Sequence, residues 1–226
     1  MARELRFAVS AQLGEVSAIL ERPRDARCLL VLAHGAGAGM RHPFMAATAD
    51  ALARRRVASF RYQFPYMEQG RRGPSPRPAL LATVQAAAAR AARAARALPL
   101  LAGGKSMGGR MSSLAASQGL LPGIRGLVLL GFPLHPAGKP AAAAERSAHL
   151  RDVATPMLFL QGTRDELAPL ARLRPICRRL GARATLHVVE GGNHSFQVLK
   201  RSGRRDDEVI EELADAVGAW SRALRT

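Results

Sequence analysis

LPLLAGGKSMGG, residues 98–109, is the stretch of this sequence that decides its fold. It places a short apolar run before Gly-x-Ser-x-Gly, and a helix-compatible segment follows from Arg110 to Gln118. A nucleophile elbow requires this order, because the chain must leave a strand, turn sharply at Ser106 and enter a helix that exposes the hydroxyl. Gly104 and Gly108 are expected to be essential, since a side chain at either would collide with the neighbouring strand or helix. Polar strand-to-helix loops also contain this pattern, so the rest of the chain has to decide.

The remainder of the chain alternates between apolar runs and helical patterns. Such alternation predicts an α/β fold with a mostly parallel central sheet and helices on both faces. No linker divides the sequence, so we expect one domain over residues 1–226. Segments 63–78 and 132–154 are expected to be irregular, and 132–154 is too short for a full lid domain. The expected strands are 5–9, 16–21, 28–33, 57–62, 98–102, 124–131, 157–161 and 185–189. The expected helices are 43–52, 79–97, 110–118, 169–180 and 206–224.

The net charge of +17 raises the possibility of nucleic-acid binding. Only three of the 34 basic residues are lysines, and the arginines are scattered over the chain, often between alanines. Aromatic residues make up 4% of the chain and do not interleave with the arginines, so no base-stacking platform is expected. The charge is therefore interpreted as a solvated surface, and no specific nucleic-acid partner is predicted.

The sequence also lacks features that would indicate secretion, membrane insertion or a bound metal. The N-terminal residues contain no secretory signal, and no window approaches the ~20 apolar residues that cross a bilayer. Cys28 and Cys177 each lie in an apolar or helical pattern, which is typical of buried thiols in a reducing compartment. We therefore expect a cytoplasmic protein without membrane insertion. The oligomeric state is not predicted.

Three candidate catalytic residues follow expected strands. Reactive groups gather beyond the carboxyl ends of parallel strands, and Ser106, Asp165 and His194 occupy such positions in the chain order of an α/β hydrolase. The intervals between them leave room for the intervening helices and strands. Asp165 could instead only cap the following helix, with Glu166 competing for the acidic role, and His194 could be an ordinary loop histidine.

The chemistry assigns a role to each of these residues. A serine hydroxyl is too weakly acidic to attack unaided, so His194 would take its proton, and Asp165 would fix the imidazole tautomer. A tetrahedral intermediate needs two backbone donors, for which Met107 and Ala36 are the candidates. No cofactor is required, because the glycine-rich HGAGAG segment at 34–39 does not match a dinucleotide loop and no metal-binding motif is present.

Two further residues near these positions have simpler expected roles. His34 is expected to shape the glycine-rich loop, since it lies at the end of a strand and directly before the glycines. Lys105 precedes the candidate nucleophile and is expected to meet a carboxylate or solvent. The other histidines receive no chemical role.

Taken together, five motifs resemble small lidless α/β hydrolases. The resemblance is greatest to the group that includes a testis-expressed protein and a subunit of the non-specific lethal histone-acetyltransferase complex, beside bacterial dienelactone-hydrolase-like proteins. It implies the α/β-hydrolase fold and a triad on Ser106, Asp165 and His194. This sequence differs from typical dienelactone hydrolases in having serine, and not cysteine, as the nucleophile, which argues against a dienelactone substrate. The motifs are LAHGAGAG at 32–39, GKSMGG at 104–109, FPLHP with GKP at 132–140, FLQGTRD at 159–165 and GNHSF at 192–196.

Two functions from different classes remain open at this point. The first is a serine hydrolase that cleaves small carboxylic esters or related acyl compounds through an acyl-enzyme, most nearly a carboxylesterase acting on a small-molecule acyl substrate. The second is a weakly active or inactive hydrolase-like module that binds a protein partner through its arginine-rich surface or the segment 63–78.

Overall fold

The computed structural model describes residues 2–135 and 146–224. In these ranges, eight strands form one sheet in the order β1-β2-β4-β3-β5-β6-β7-β8. The strands are β1 Ala2–Ser10, β2 Gly14–Glu21, β3 Cys28–Ala33, β4 Val57–Tyr62, β5 Leu100–Lys105, β6 Ile124–Leu130, β7 Met157–Gly162 and β8 Ala184–Val189. The α-helices are α1 Pro43–Arg54, α2 Pro65–Glu68, α3 Arg77–Ala94, α4 Met107–Ser117, α5 Leu170–Leu180 and α6 Asp206–Ala223.

The sheet is parallel from β4 to β8, and β1 and β2 extend it as antiparallel strands. Parallel strands are covered on both faces, which is why β3, β4 and β7 are buried along their whole length. Alternate residues of β3 contribute to two separate cores. Leu29 and Val31 pack on the side of α3, α4 and α5, whereas Leu30 and Leu32 pack on the side of α1 and α6. The predicted α/β-hydrolase architecture is confirmed.

The structure corrects three sequence-based expectations. β5 was expected at 98–102 but spans Leu100–Lys105, because Gly103 and Gly104 pair with β3 and β6 as part of the strand. The segment 63–78, expected to be irregular, contains α2, and α3 already begins at Arg77. In the segment expected to be irregular at 132–154, a 3₁₀ helix forms at Ala148–Asp152, while 136–145 lies outside the described residues.

The glycines of the elbow have the role expected from the sequence. A Cβ atom on Gly104 would lie 2.2 Å from the carbonyl oxygen of Ala33, and one on Gly108 would lie 2.5 Å from the same oxygen. Both distances are far below van der Waals contact. The close approach of β5 and α4 to β3 therefore depends on glycine at both positions, as predicted.

The two cysteines are buried free thiols, and burial raises the pKa of each. The Cys177 thiol reaches a pKa of about 11, mainly through loss of solvent. None of the helices in the described ranges has the length and apolar character that crossing a bilayer requires.

Candidate active site

Ser106 lies in a strained turn between β5 and α4. Its backbone has φ 51° and ψ −113°, a conformation that side-chain-bearing residues rarely adopt. Hydrogen bonds hold this turn from both sides, because the Ser106 N–H donates to Leu130 at 2.9 Å and its carbonyl accepts from Arg110 at 3.0 Å. The strain and these bonds match those expected of a nucleophile elbow, in which the turn fixes the direction of the hydroxyl.

Asp165 follows β7 and is almost fully buried. Its Oδ2 accepts hydrogen bonds from Gln161 Nε2 at 2.6 Å and lies 2.8 Å from His194 Nδ1, while its Oδ1 accepts from the Leu167 N–H at 2.9 Å. Burial on its own would raise the pKa of this carboxyl. The hydrogen bond and charge of His194, together with the Leu167 and Gln161 donors, outweigh burial and lower the pKa, so Asp165 is ionised at neutral pH.

His194 lies in the loop after β8 and bridges the other two residues. Its Nδ1 is 2.8 Å from Asp165 Oδ2, and its Nε2 is 2.9 Å from Ser106 Oγ. Asn193 stabilises the loop, since its Oδ1 accepts from the backbone N–H groups of Ser195 and Gln197 at 2.9 Å each. With the proton on Nδ1 directed at Asp165, Nε2 is free to accept the serine proton.

The aspartate and histidine loops touch through two glycines. A Cβ atom on Gly162 would lie 2.1 Å from the carbonyl oxygen of Gly192, and the Arg164 N–H donates to that same oxygen at 2.9 Å. Glycine at position 162 therefore allows the ends of β7 and β8 to approach closely enough for the histidine to reach the aspartate.

The structure thus brings together the three predicted side chains, which are 88 and 29 residues apart along the chain. It also separates Asp165 from its competitor, because Glu166 is exposed. Asp165 does contact the backbone of the next turn, as a cap would, but it does so with the oxygen that His194 does not use.

The glycine-rich loop after β3 lies beside the serine. A Cβ atom on Gly35 would be 3.8 Å from the Ser106 Cβ, and Ala36 lines the same cavity as Ser106. His34 supports the loop from below, with Nδ1 2.7 Å from the Gly35 carbonyl and Nε2 accepting from the Phe64 N–H at 3.2 Å. Burial lowers the pKa of His34 to about 4, against a smaller opposing effect of the Gly35 bond, so the ring is neutral as both contacts require.

Met107, the other candidate donor, is the first residue of α4. The N–H groups of a first helical turn have no partner within the helix and point along the positive end of its dipole. Ala36 and Met107 therefore remain the candidate pair of oxyanion donors.

A cavity of about 570 Å³ opens over the serine and histidine. One wall is apolar and includes Phe44 and Ile210, while Phe196 stacks on Phe44 with ring centroids 5.8 Å apart. Cavities of this size and apolar character accommodate small organic molecules. The cavity also reaches Asp206 at the start of α6.

Sequence reasoning missed one residue of this site, Gln161, and did not indicate the backbone conformation or the contacts of two others, Phe196 and Lys105. Gln161, which holds Asp165, lies inside an apolar strand, where its polarity was the only available signal. Phe196 adopts a positive φ of 62°, which no sequence pattern indicates for an aromatic residue. Lys105 was expected to meet a carboxylate or solvent, and its ammonium does interact with the Asp165 charge. The contact that was not expected is with Phe196, whose ring centroid lies 5.6 Å from the ammonium.

Three other histidines make contacts of their own. His187 is 2.8 Å from Glu212, and His149 is 2.8 Å from Ser113. His42 lines the cavity described above and caps α1, because its Nδ1 accepts a hydrogen bond from the Phe44 N–H at 3.2 Å. Across 2–135 and 146–224, no three or more histidine, cysteine, aspartate and glutamate side chains cluster as metal ligands would.

Comparison with known proteins places this geometry in a family context. A family model described as an alpha/beta hydrolase domain matches residues 26–222. Among solved structures, a dienelactone hydrolase from Anabaena variabilis superposes with a TM-score of 0.75 at 19% identity, covering 99% of each chain. A lidless α/β serine hydrolase from Xanthomonas campestris superposes with a TM-score of 0.72 at 18% identity, covering 97% of this chain and 94% of that one.

A third similar structure is an α/β serine hydrolase homologue from Coxiella burnetii. It superposes with a TM-score of 0.73 at 17% identity and covers 94% of this chain and 96% of its own. At these identities the solved structures support the fold, and the substrate has to be argued from this chain's own residues.

Proposed function

The chain belongs to the α/β hydrolase domain family, and on that premise we propose that it is a serine hydrolase of small carboxylic esters. The observation that carries the proposal is the continuous pair of contacts from Ser106 Oγ to His194 Nε2, at 2.9 Å, and from His194 Nδ1 to Asp165 Oδ2, at 2.8 Å. The contacts end at a serine that opens onto a cavity of about 570 Å³. In this proposal residues 1–226 act as one catalytic domain with a small-molecule acyl substrate.

The first half of the reaction forms an acyl-enzyme. As Ser106 Oγ attacks the ester carbonyl carbon, its proton moves to His194 Nε2, and ionised Asp165 stabilises the imidazolium. The backbone N–H groups of Ala36 and Met107 stabilise the negative oxygen of the tetrahedral intermediate. Collapse of the intermediate breaks the ester C–O bond, and the leaving alcohol takes the proton from His194.

The second half regenerates the serine. Water attacks the acyl carbonyl carbon while His194 Nε2 takes one of its protons, and a second tetrahedral intermediate forms over the same two backbone donors. Its collapse breaks the bond to Ser106 Oγ, which recovers a proton from His194 as the carboxylic acid leaves. In both halves His194 first takes a proton and then returns it, and the same two backbone N–H groups bind the negative oxygen. The same geometry therefore supports both halves.

The reactivity of the serine provides the test. A fluorophosphonate probe reacts with activated serines, so we expect wild-type protein to be labelled and Ser106→Ala to remain unlabelled. Ser117→Ala is the matched control, because Ser117 lies on the same helix α4 and its hydroxyl only bonds to the Leu114 carbonyl. Folded wild-type protein that resists the probe, or Ser106→Ala that is still labelled, would contradict the proposal.

A panel of p-nitrophenyl esters then defines the acyl group. We expect turnover of short and medium acyl chains, because the cavity is small and has one apolar wall. Turnover that persists at wild-type rates in Ser106→Ala would assign hydrolysis to another site.

A further inference from the structure

Lys105 reaches from the nucleophile strand to the opposite side of the site. It is the last residue of β5, and its Cγ lies 3.7 Å from where a Cβ on Gly35 would stand. Its Nζ lies 3.2 Å from where a Cβ on Gly131 would stand, just beyond the end of β6. The side chain therefore runs along the sheet edge from Gly35, after β3, to Gly131, after β6.

The ammonium of Lys105 lies close to the charged part of the site. The position that a Gly131 Cβ would occupy is also 3.5 Å from Asp165 Oδ2 and 3.5 Å from the His194 carbonyl oxygen. On another side, the Phe196 ring faces the ammonium at 5.6 Å. The ammonium of Lys105 and the Asp165 carboxylate, which hydrogen-bonds to the imidazole, thus border the same position beside Gly131.

This charge is not cancelled by a direct ion pair. Within 2–135 and 146–224, the ammonium forms no hydrogen bond, and the charge it senses is that of Asp165 through space. Burial lowers the pKa of Lys105 to about 8, with Asp165 partly opposing the effect. The side chain is therefore cationic throughout the acidic range in which a histidine titrates.

We propose that Lys105 is a positioning residue whose positive charge disfavours protonation of His194 and so keeps the base available at acidic pH. The inference rests on the proposed function, since it assigns Lys105 a role only if His194 is the general base. A cation close to the carboxylate that binds the imidazole opposes the imidazolium, whereas buried Asp165 alone would favour it. Lys105 thereby offsets part of the attraction that Asp165 exerts on a proton.

Other charged groups around His194 act more weakly. His42 and Asp206 line the cavity, and the Asp206 carboxylate already accepts from the Val198 N–H at 2.9 Å. Arg164 and Glu190, near the histidine loop, are exposed to solvent. Water and salt screen exposed charges, whereas the partly buried Lys105 is screened far less.

The test is the pH dependence of kcat/KM in a variant without the charge. Lys105→Met removes the ammonium but keeps an unbranched side chain. We expect its acid midpoint to rise by about one pH unit, the order of effect expected for a nearby unit charge in a partly buried site. The substrate is p-nitrophenyl butyrate, followed at the isosbestic wavelength of p-nitrophenol.

Two variants separate electrostatics from general damage. Lys105→Arg retains the positive charge and should leave the acid midpoint near the wild-type value. Lys200→Met removes a lysine charge from an exposed 3₁₀ turn and should shift the midpoint by less than about 0.2 pH unit. If Lys105→Met does not fold, Lys105→Gln replaces it with the same expectation.

An unchanged acid midpoint in an active, folded Lys105→Met protein would overturn the inference, as would an equal shift in Lys105→Arg. Failure of the proposed function looks different, because wild-type protein itself would then resist the fluorophosphonate probe. A uniform loss of activity at every pH, with no movement of the midpoint, would assign Lys105 a purely structural role and also overturn the inference.

Discussion

Replacing Asp165 by asparagine should trap His194 in an unproductive tautomer. Asp165 accepts three N–H groups, from Gln161 at 2.6 Å, from Leu167 at 2.9 Å and from the imidazole at 2.8 Å. An asparagine side chain has only one acceptor oxygen, so its NH₂ group must face one of these donors. The choice of orientation determines the outcome.

The structure favours one of the two orientations. If the asparagine oxygen stays towards His194, its NH₂ group faces the Leu167 N–H, and the two unpaired donors cost roughly 1–3 kcal/mol each. If the amide turns, Gln161 can turn with it, because its Oε1 is buried and has no partner among the described residues. His194 Nδ1 must then accept a hydrogen bond, which forces the ring proton onto Nε2.

That tautomer cannot take the serine proton. We expect kcat to fall by about 10³–10⁴-fold, equivalent to roughly 4–5.5 kcal/mol in the activation barrier, while the free energy of unfolding falls by only about 1–3 kcal/mol. The assay combines kcat for p-nitrophenyl butyrate, the rate of fluorophosphonate labelling and denaturant unfolding. Glu166→Gln is the matched control, since Glu166 is the exposed neighbouring acid, and its kcat should stay within about twofold of wild type. Asp165→Asn protein that is folded and keeps more than about a tenth of the wild-type kcat would refute the reasoning.

Two further predictions concern the frame around the site. Gly108→Ala would place a Cβ 2.5 Å from the Ala33 carbonyl oxygen, so α4 must move by on the order of 1 Å, and kcat/KM should fall by about 10²-fold. Gly119→Ala is the control for the loss of a glycine, because Gly119 has a φ of 70° and open space around it. An equal loss of kcat/KM in Gly119→Ala would contradict this prediction. Because burial lowers the pKa of His34 to about 4, the unfolded state binds a proton first as pH falls below about 6.5, and the native state is destabilised down to about pH 4. Between pH 7 and pH 4, the free energy of unfolding should therefore fall by about 3 kcal/mol less in His34→Gln than in wild type, as measured by urea denaturation. Equal decreases in the two proteins would contradict a buried, neutral His34.

Most of the fold could be predicted from the sequence because the strands are nearly continuous apolar runs. β3 was predicted with its observed bounds because its full burial leaves no polar interruption. β4 was also predicted with its observed bounds, although Ser59 and Arg61 interrupt its apolar run. β5 was displaced because Gly103 and Gly104 have low strand propensity, yet here glycine is what allows neighbouring backbones to approach. α2 escaped prediction because four residues are too few for a periodic pattern.

The candidate site was predictable to the extent that chain order and strand ends determine it. Ser106, Asp165 and His194 lie in contact because the carboxyl ends of parallel strands meet at one edge. The supporting residues were not predictable, since they depend on side-chain direction and loop geometry. The ammonium of Lys105, for example, lies beside Gly131, near Asp165 and Phe196, a direction that no sequence pattern indicates.

The central claim, that Ser106 carries the acyl group during ester hydrolysis, can be tested by trapping the intermediate. Wild-type protein is mixed with excess p-nitrophenyl butyrate, quenched in acid within milliseconds to seconds, digested and analysed by peptide mass spectrometry. We expect a butyryl group on Ser106, and none on the same peptide of Ser106→Ala. Continued turnover with the acyl group on another residue, or with no acylated peptide at any quench time, would contradict it.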